Sequence, residues 1–450
     1  MGHVVRMTMT GAAGITFVFV VDAANLFWIA QWGDPSMVAA IGFAFAIQFL
    51  SVSSGVGLMI ASTALISRSI GAGERALARR QATGAAMIAL AVQSALALFI
   101  VLFRHEIVAL AGASGETAAM AARYLLFTVP SLSIVAVSLV ANGALRAVGD
   151  GRRSMYVTLG SGLMAMVIDP PLILWLGLNG AAAGLVAFRL LMLALALRYA
   201  VGLHDLMAAP RLAHLAEVWR PFLVIALPAI LTQLATPVGN LLMTMLIAPY
   251  GDAAMAGWAV VGRMTVVAFG GIFSLAGAIG GIFGQNFGAR EYERLRSTYR
   301  DAVIFGLGYS LVIWAVLVAV SDPVTRAMKL TPQAAEVVHA FTHVGAGAFL
   351  FASALFVANA AFNALGKPMR ATGMTWLRDG VLVLPLAWWL TDPFEAPGVV
   401  YAQAAAGALA GLLAAVWGWQ FVRALARVTL PPLDLTPPRP YAHADRYRRR

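Results

Sequence analysis

Three observations predict an all-α polytopic membrane protein. Of the 450 residues, 61% are hydrophobic and only 11% are charged, with a mean hydropathy of +0.82. That is more apolar surface than a soluble domain of this length hides. The apolar runs are long and continuous rather than alternating, which excludes an outer-membrane barrel. The basic residues fall in every second connection, as the loops on one side of a bilayer do.

At about 20 residues per crossing, the runs predict twelve transmembrane helices. Their approximate limits are 10–31, 37–66, 82–103, 119–142, 154–176, 181–203, 221–248, 253–284, 301–320, 338–362, 373–391 and 399–423. The opening segment MGHVVRMTMT is short, and the run after it has spanning length, so it reads as a first helix rather than a removed leader. The even connections hold Arg68, Arg75, Arg79 and Arg80; Arg146, Arg152 and Arg153; Arg211 and Arg220; Arg290, Arg294, Arg296 and Arg300; and Lys367 with Arg370. The short odd connections WGDPS, GLN, PYGD and TDPFEAPG hold none. By the positive-inside rule both termini are cytoplasmic, and the expected location is the inner membrane. The net charge of +11 is thereby a matter of topology, and no nucleic-acid partner is expected. Residues 424–450 are rich in Pro and Arg and read as a disordered basic tail that can lie on anionic headgroups. With no cysteine, thiol catalysis and disulfides are excluded.

The chain repeats itself at an offset of 217–218 residues. Gly33-Asp34-Pro35-Ser36-Met37 recurs as Gly251-Asp252-Ala253-Ala254-Met255, and Ile70-Gly71-Ala72-Gly73-Glu74-Arg75 as Phe287-Gly288-Ala289-Arg290-Glu291-Tyr292. Arg146-Ala147-Val148-Gly149 recurs as Asn363-Ala364-Leu365-Gly366. Six helices per half leave both halves in one orientation, so the repeat is parallel, related by a pseudo-twofold along the membrane normal. The expected organisation is an N-terminal six-helix lobe (1–203), a cytoplasmic linker (204–220), a C-terminal six-helix lobe (221–423) and the tail. Two like-oriented bundles facing across a cleft suit an alternating-access carrier.

Along its length the chain resembles the multidrug and toxic compound extrusion (MATE) family. The resemblance lies in VVDAANLFWIAQWGDPSMVAAIG (20–42), ALISRSIGAGERALARR (64–80), LRAVGDGRRSM (145–155), VIDPPLILWLGLNGAAAG (167–184), YGDAAMAGWAVVGR (250–263) and GQNFGAREYERLR (284–296). It implies a two-lobe antiporter that expels organic compounds, cationic or amphiphilic, in exchange for H⁺ or Na⁺. It is more similar to the DinF-like branch than to the NorM-like one, whose acids in the seventh and tenth helices are missing here. Asp22 aligns by the offset with Asn240, so the acidic site is expected in the first lobe alone.

Four charges sit deep in apolar helices: Asp22, Asp169, Arg189 and Arg263. At 1.5 Å per residue they lie roughly 12–16 Å below the outer surface. A carboxylate at that depth is costly, and an intramembrane acid is functional by default. Pro170 and Pro171 follow Asp169 and predict a kink that frees carbonyls beside it. The resemblance implies that Asp22 and Asp169 form the ion-coupling site. Where the family often has Asn one turn before the second acid, this chain has Ala165, which favours H⁺ over Na⁺. Arg189 and Arg263 are structural counter-ions or substrate contacts. Asn25, Asn142 and Asn240 are cavity candidates, with interhelical hydrogen bonding the plainer role.

His339 and His343 lie one turn apart beyond Glu336, a spacing that reads as an interfacial face rather than a metal site. No metal and no cofactor beyond the coupling ion are expected. No HExxH, nucleophile elbow, aspartate-rich Mg²⁺ motif or P-loop is present, so an enzyme or an ATP-driven pump is not the reading. The alternative is a flippase for a lipid-linked precursor; the superfamily members with that activity carry extra helices and a cationic cavity, neither of which the sequence displays. The expected partners are a small-molecule substrate and the bilayer, with the protein acting as a monomer.

Overall fold

The computed structural model describes residues 2–32 and 35–425; the side chains of several residues on the first helix, Asp22 and Asn25 among them, lie outside the description, as does the tail from 426. Among the described residues all regular structure is helical. Nine continuous stretches among them are long and apolar enough to cross a membrane. Two of these double back: Leu212–Gly288 at Gly251, where φ is 88°, and Pro368–Leu425 at Glu395, where φ is 52°. With the helix Gly2–Trp32 the twelve spans are complete.

The spans are α1 (Gly2–Trp32), α2 (Pro35–Gly71), α3 (Arg75–Leu102), α4 (Gly115–Ala147), α5 (Gly151–Leu176) and α6 (Leu178–Leu203). In the second half they are α7 (Leu212–Ile247), α8 (Gly251–Gly288), α9 (Tyr292–Ala327) and α10 (Pro332–Ala364). α11 begins at Pro368 and α12 ends at Leu425, on either side of the Glu395 turn. Helices run several residues past the apolar limits read from sequence, because hydropathy marks the hydrocarbon slab and not the end of the hydrogen-bond ladder. α1 therefore starts at Gly2, and its first turns bury Val4 and Met7 against the second lobe. The connection between the lobes is irregular over 204–211 only, since 212–220 already belongs to α7. No break accompanies Pro170 and Pro171: α5 stays helical through both. What the prolines do remove is two backbone donors.

Where the core sits tells how the lobes meet. One cluster joins Ala40, Ala44 and Ile47 of α2 to Leu125 and Ala182, all first-lobe residues. Its counterpart joins Met243, Ile247, Val260 and Val337, all of the second. At the end bearing the basic connections the clusters mix. Val4 and Met7 pack with Leu275, Ile279 and Phe283, and Leu58, Ala61 and Leu65 pack with Phe222, Ile225 and Ala226. The two bundles are closed on each other at that end, while each keeps its own core at the other. In a lipid solvent, close backbone approach at small residues and interhelical hydrogen bonds hold such contacts.

Candidate functional site between the lobes

The closed end is built at the crossing of α2 and α8. A Cβ on Gly71 would overlap the Gln285 carbonyl, and one on Gly288 would overlap the Arg68 carbonyl. Both positions therefore need glycine for the backbones to touch. Arg68 Nε donates to the Ala364 carbonyl at 2.7 Å and its Nη2 to that of Asn363 at 3.2 Å. Gln285 Nε2 donates to the Ala147 carbonyl. The offset of 217 relates Gly71 to Gly288, Arg68 to Gln285 and Ala147 to Ala364. The Arg68–Ala364 and Gln285–Ala147 hydrogen bonds are thus one device, used twice about the pseudo-twofold. Ser274 Oγ adds a bond to the Thr8 carbonyl at 3.0 Å.

Beside this latch lies a cavity of about 70 Å³. Its wall joins Thr63 of α2 and Arg146 of α4 to Gln233 and Thr236 of α7, Gly277 of α8, Asn359 of α10, and Thr375 and Arg378 of α11. Positions 59, 60, 63 and 146 and their repeat equivalents 276, 277, 280 and 363 all line it, so the cavity straddles the pseudo-twofold axis. Arg146 Nε donates to Ser154 Oγ at 3.1 Å, and a Cβ at Gly277 would meet its Nη1 at 2.5 Å. Arg378 makes a two-pronged ion pair with Asp379, Nε to Oδ1 at 2.6 Å and Nη2 to Oδ2 at 2.8 Å, and sits over the Phe356 ring. Asp379 lies behind it against Gly239, whose added Cβ would stand 3.1 Å from the Asp379 Cβ. The pair occupies a π-helical turn, Leu377–Leu382, a local widening frequent at functional sites.

The first-lobe charges are placed differently. Asp169 is buried, and a Cβ on Gly184 of α6 would overlap its Oδ1, so this carboxylate fills the space that a glycine leaves between α5 and α6. Arg189 is also buried inside the first lobe. It donates to the Thr128 carbonyl, to Ser131 Oγ and to Gln48 Oε1, each at 2.8 Å, tying α6 to α4 and α2. These hydrogen bonds brace that lobe from within. Asp22 lies on α1, and its side chain and that of Asn25 are outside the described residues.

Asn142 is buried on α4 and its Oδ1 has no hydrogen-bond partner among the described residues; the offset relates it to Asn359, whose Oδ1 is in the same condition. Asn240 and Arg263 are exposed. Among the α8 positions that touch the first lobe are Ser274, Gly277, Gly281, Gly284 and Gly288. Continued at three- and four-residue steps, that stripe runs through 270, 266 and 263, which puts Arg263 on the face turned toward the first lobe, beyond the closed end. Asn240 continues the corresponding stripe of α7 through Gln233 and Thr236. His339 is engaged with Ser321 Oγ at 2.8 Å, and His343 Nδ1 lies 2.9 Å from the His339 carbonyl.

Three residues of this site escaped the sequence reading. By sequence Arg146 belongs with the topology-setting loop arginines, yet it lines the cavity. Arg378 and Asp379 carry no motif that marks them; Asp379 stands eleven residues past Pro368, a depth of roughly 16 Å at 1.5 Å per residue. The same depth argument that picked out Asp169 would have found them. The second lobe therefore also holds an acid at membrane depth, half-buried beside Arg378, and the wall between the lobes does present guanidinium groups.

The comparisons with known proteins agree with this architecture. The MatE family model matches residues 12–170 and 228–389, one block in each lobe. The chain belongs to the MatE family. A MatE protein is a multi-pass membrane transporter and not an enzyme. Among similar proteins, the multidrug export protein MepA of Staphylococcus aureus is 24% identical over 87% of both chains. A protein of Shewanella oneidensis named FAD transporter is 23% identical over 85% of this chain and 86% of its own. The crystal structure of the Vibrio cholerae MATE transporter VcmN in its bent form superposes with a TM-score of 0.87 at 25% identity, covering 94% of this chain and 97% of that one.

Proposed function

We propose that this MatE protein is a secondary active exporter. It moves small organic compounds out across the inner membrane in exchange for H⁺, or Na⁺, by alternating access, as a monomer with both termini in the cytoplasm. The observation behind this reading is the asymmetry of the seam: a hydrogen-bonded latch repeated about the pseudo-twofold at the basic-loop end, with the cores segregated by lobe at the other. Such a bundle has two discrete ways to close. Similarity to a multidrug export protein supports the direction of transport.

Asp169 is the element that a cation can act on. Buried between α5 and α6, it costs least when neutralised, by a proton or by a bound cation. Ala165, one turn before it, is buried and offers no oxygen, and a sodium ion needs several oxygens where a proton needs one carboxylate. That supports H⁺. Asp22 is assigned to the same site on the family resemblance.

The test is flux in proteoliposomes loaded with carboxyfluorescein or ethidium, with pH and sodium gradients imposed separately. A pH gradient is expected to accelerate export of at least one dye, and Asp169→Asn and Asp22→Asn are expected to remove the acceleration while folded protein remains in the membrane. Export indifferent to both gradients, or undiminished in both variants, would overturn the reading.

A further inference from the structure

The polarity of the cavity wall says what it receives. No aspartate or glutamate among the described residues lines it, whereas Arg146 comes from the first lobe and Arg378 from the second. Arg378 is already paired with Asp379, which stands behind it. Arg146 has an acceptor for Nε alone, the Ser154 hydroxyl; its two Nη nitrogens, one lying over Gly277, donate to no described residue. The rest of the polar lining is amide and hydroxyl: Gln233, Thr236, Asn359 and Thr375. A guanidinium with free donors in a small, mainly apolar chamber suits an oxyanion, which it binds through parallel N–H donors. Farther along the same face of α8 stands Arg263, exposed, so cationic charge also borders the approach. An organic cation would meet this wall at a Coulombic disadvantage.

We propose that the cavity binds the anionic group, carboxylate or phosphoryl, of a soluble organic substrate, bridged between Arg146 of one lobe and Arg378 of the other. The proposal deepens the export reading, on which it rests for transport but not for binding. It replaces the cationic class implied by the family resemblance. Because the two guanidinium groups belong to different lobes, the bound anion is also a cross-lobe contact, formed and lost as the bundles move.

Equilibrium binding of carboxyfluorescein and of ethidium to the purified protein in phosphatidylcholine nanodiscs tests it by fluorescence anisotropy. The anion is expected to bind at least tenfold more tightly than the cation. Arg146→Gln is expected to weaken carboxyfluorescein binding at least tenfold, and Arg146→Lys, which keeps the charge, much less. The double variant Arg378→Gln with Asp379→Asn removes the second guanidinium without stranding its carboxylate, and is expected to weaken binding at least threefold; it decides the matter if Arg146→Gln fails to fold. Ethidium binding as tightly as the anion, or anion binding unmoved in both charge-removing variants, overturns the proposal. So does displacement of the dye when phosphatidylglycerol replaces phosphatidylcholine, which would reassign the chamber to a lipid headgroup. The two readings fail separately. Gradient-driven ethidium export without anion binding sinks the site and leaves the exporter, whereas selective anion binding without gradient-driven flux does the reverse.

Discussion

At Asp169 the decisive neighbour is a residue with no side chain. Gly184 leaves the space its carboxylate occupies, and four residues earlier Gly180 faces the Leu172 carbonyl, where a Cβ would overlap main chain. The two glycines should therefore respond differently to alanine. At Gly184 the obstacle is a side-chain carboxylate that can rotate away, so Gly184→Ala is expected to fold and to lose gradient-driven export as Asp169→Asn does. Gly180→Ala must separate α5 from α6, and overpacking of that kind costs about 1–3 kcal/mol. Thermal unfolding in detergent alongside the flux assay separates the outcomes: loss of coupling at full stability for the first, and a lowered melting temperature for the second. Arg189 shows the other use of a buried charge. Its hydrogen bonds to Thr128, Ser131 and Gln48 tie three helices of one lobe together, and depth alone could not distinguish it from Asp169.

At the level of elements, the connections are organised as carefully as the spans. Asp150, between α4 and α5, accepts hydrogen bonds from the Arg153 backbone at 3.1 Å, from the Arg153 guanidinium and from His204 Nε2 at 2.7 Å. Burial by itself would push this carboxyl up, but the bonds from Arg153 and His204 outweigh it and hold Asp150 below its ordinary value of 3.8. A depressed acid stabilises the fold at pH above that ordinary value and loses its contribution as pH falls through the folded one. The carboxylate of Asp150, which helps pin the start of the inter-lobe connection to the first lobe, therefore makes a constant contribution between about pH 5 and 8. Asp150→Asn is expected to leave the shape of the export–pH profile over that range unchanged, measured in the same liposomes. Asp150 is then not the source of any proton dependence in that range. The helices themselves were legible in the sequence, because twelve apolar runs and an arginine alternation leave little freedom in topology. Their ends were not, since α1 and α7 extend as helix well past the apolar limits. Nor was the unbroken course of α5, whose packing against α1 and α6 overrides the prolines' tendency to interrupt it.

On the scale of the whole molecule, the absence of cysteine makes the seam easy to probe. Gly280 lines the cavity and has room for a side chain. Gly280→Cys is expected to react slowly with a membrane-impermeant maleimide applied from the basic-loop side, and at least tenfold faster once Arg68→Ala and Gln285→Ala remove both latch donors. Labelling from that side at one rate in both backgrounds would mean that these bonds do not gate access. The repeat that predicts two matched lobes was visible as three short echoes, one of which contains Gly71 and Gly288. Their role was hidden, because a string of letters does not say that two glycines meet at an axis. The cationic lining was hidden for a related reason: Arg146 and Arg378 lie in different lobes, and only the fold places them on one wall.

Both latch bonds end on peptide oxygens, those of Ala147 and Ala364. No substitution can delete a peptide oxygen, so half of each clasp is immune to point mutation. Variants that change how readily the bundle switches should concentrate on the donors Arg68 and Gln285, or on the two glycines that let the backbones of the clasp approach.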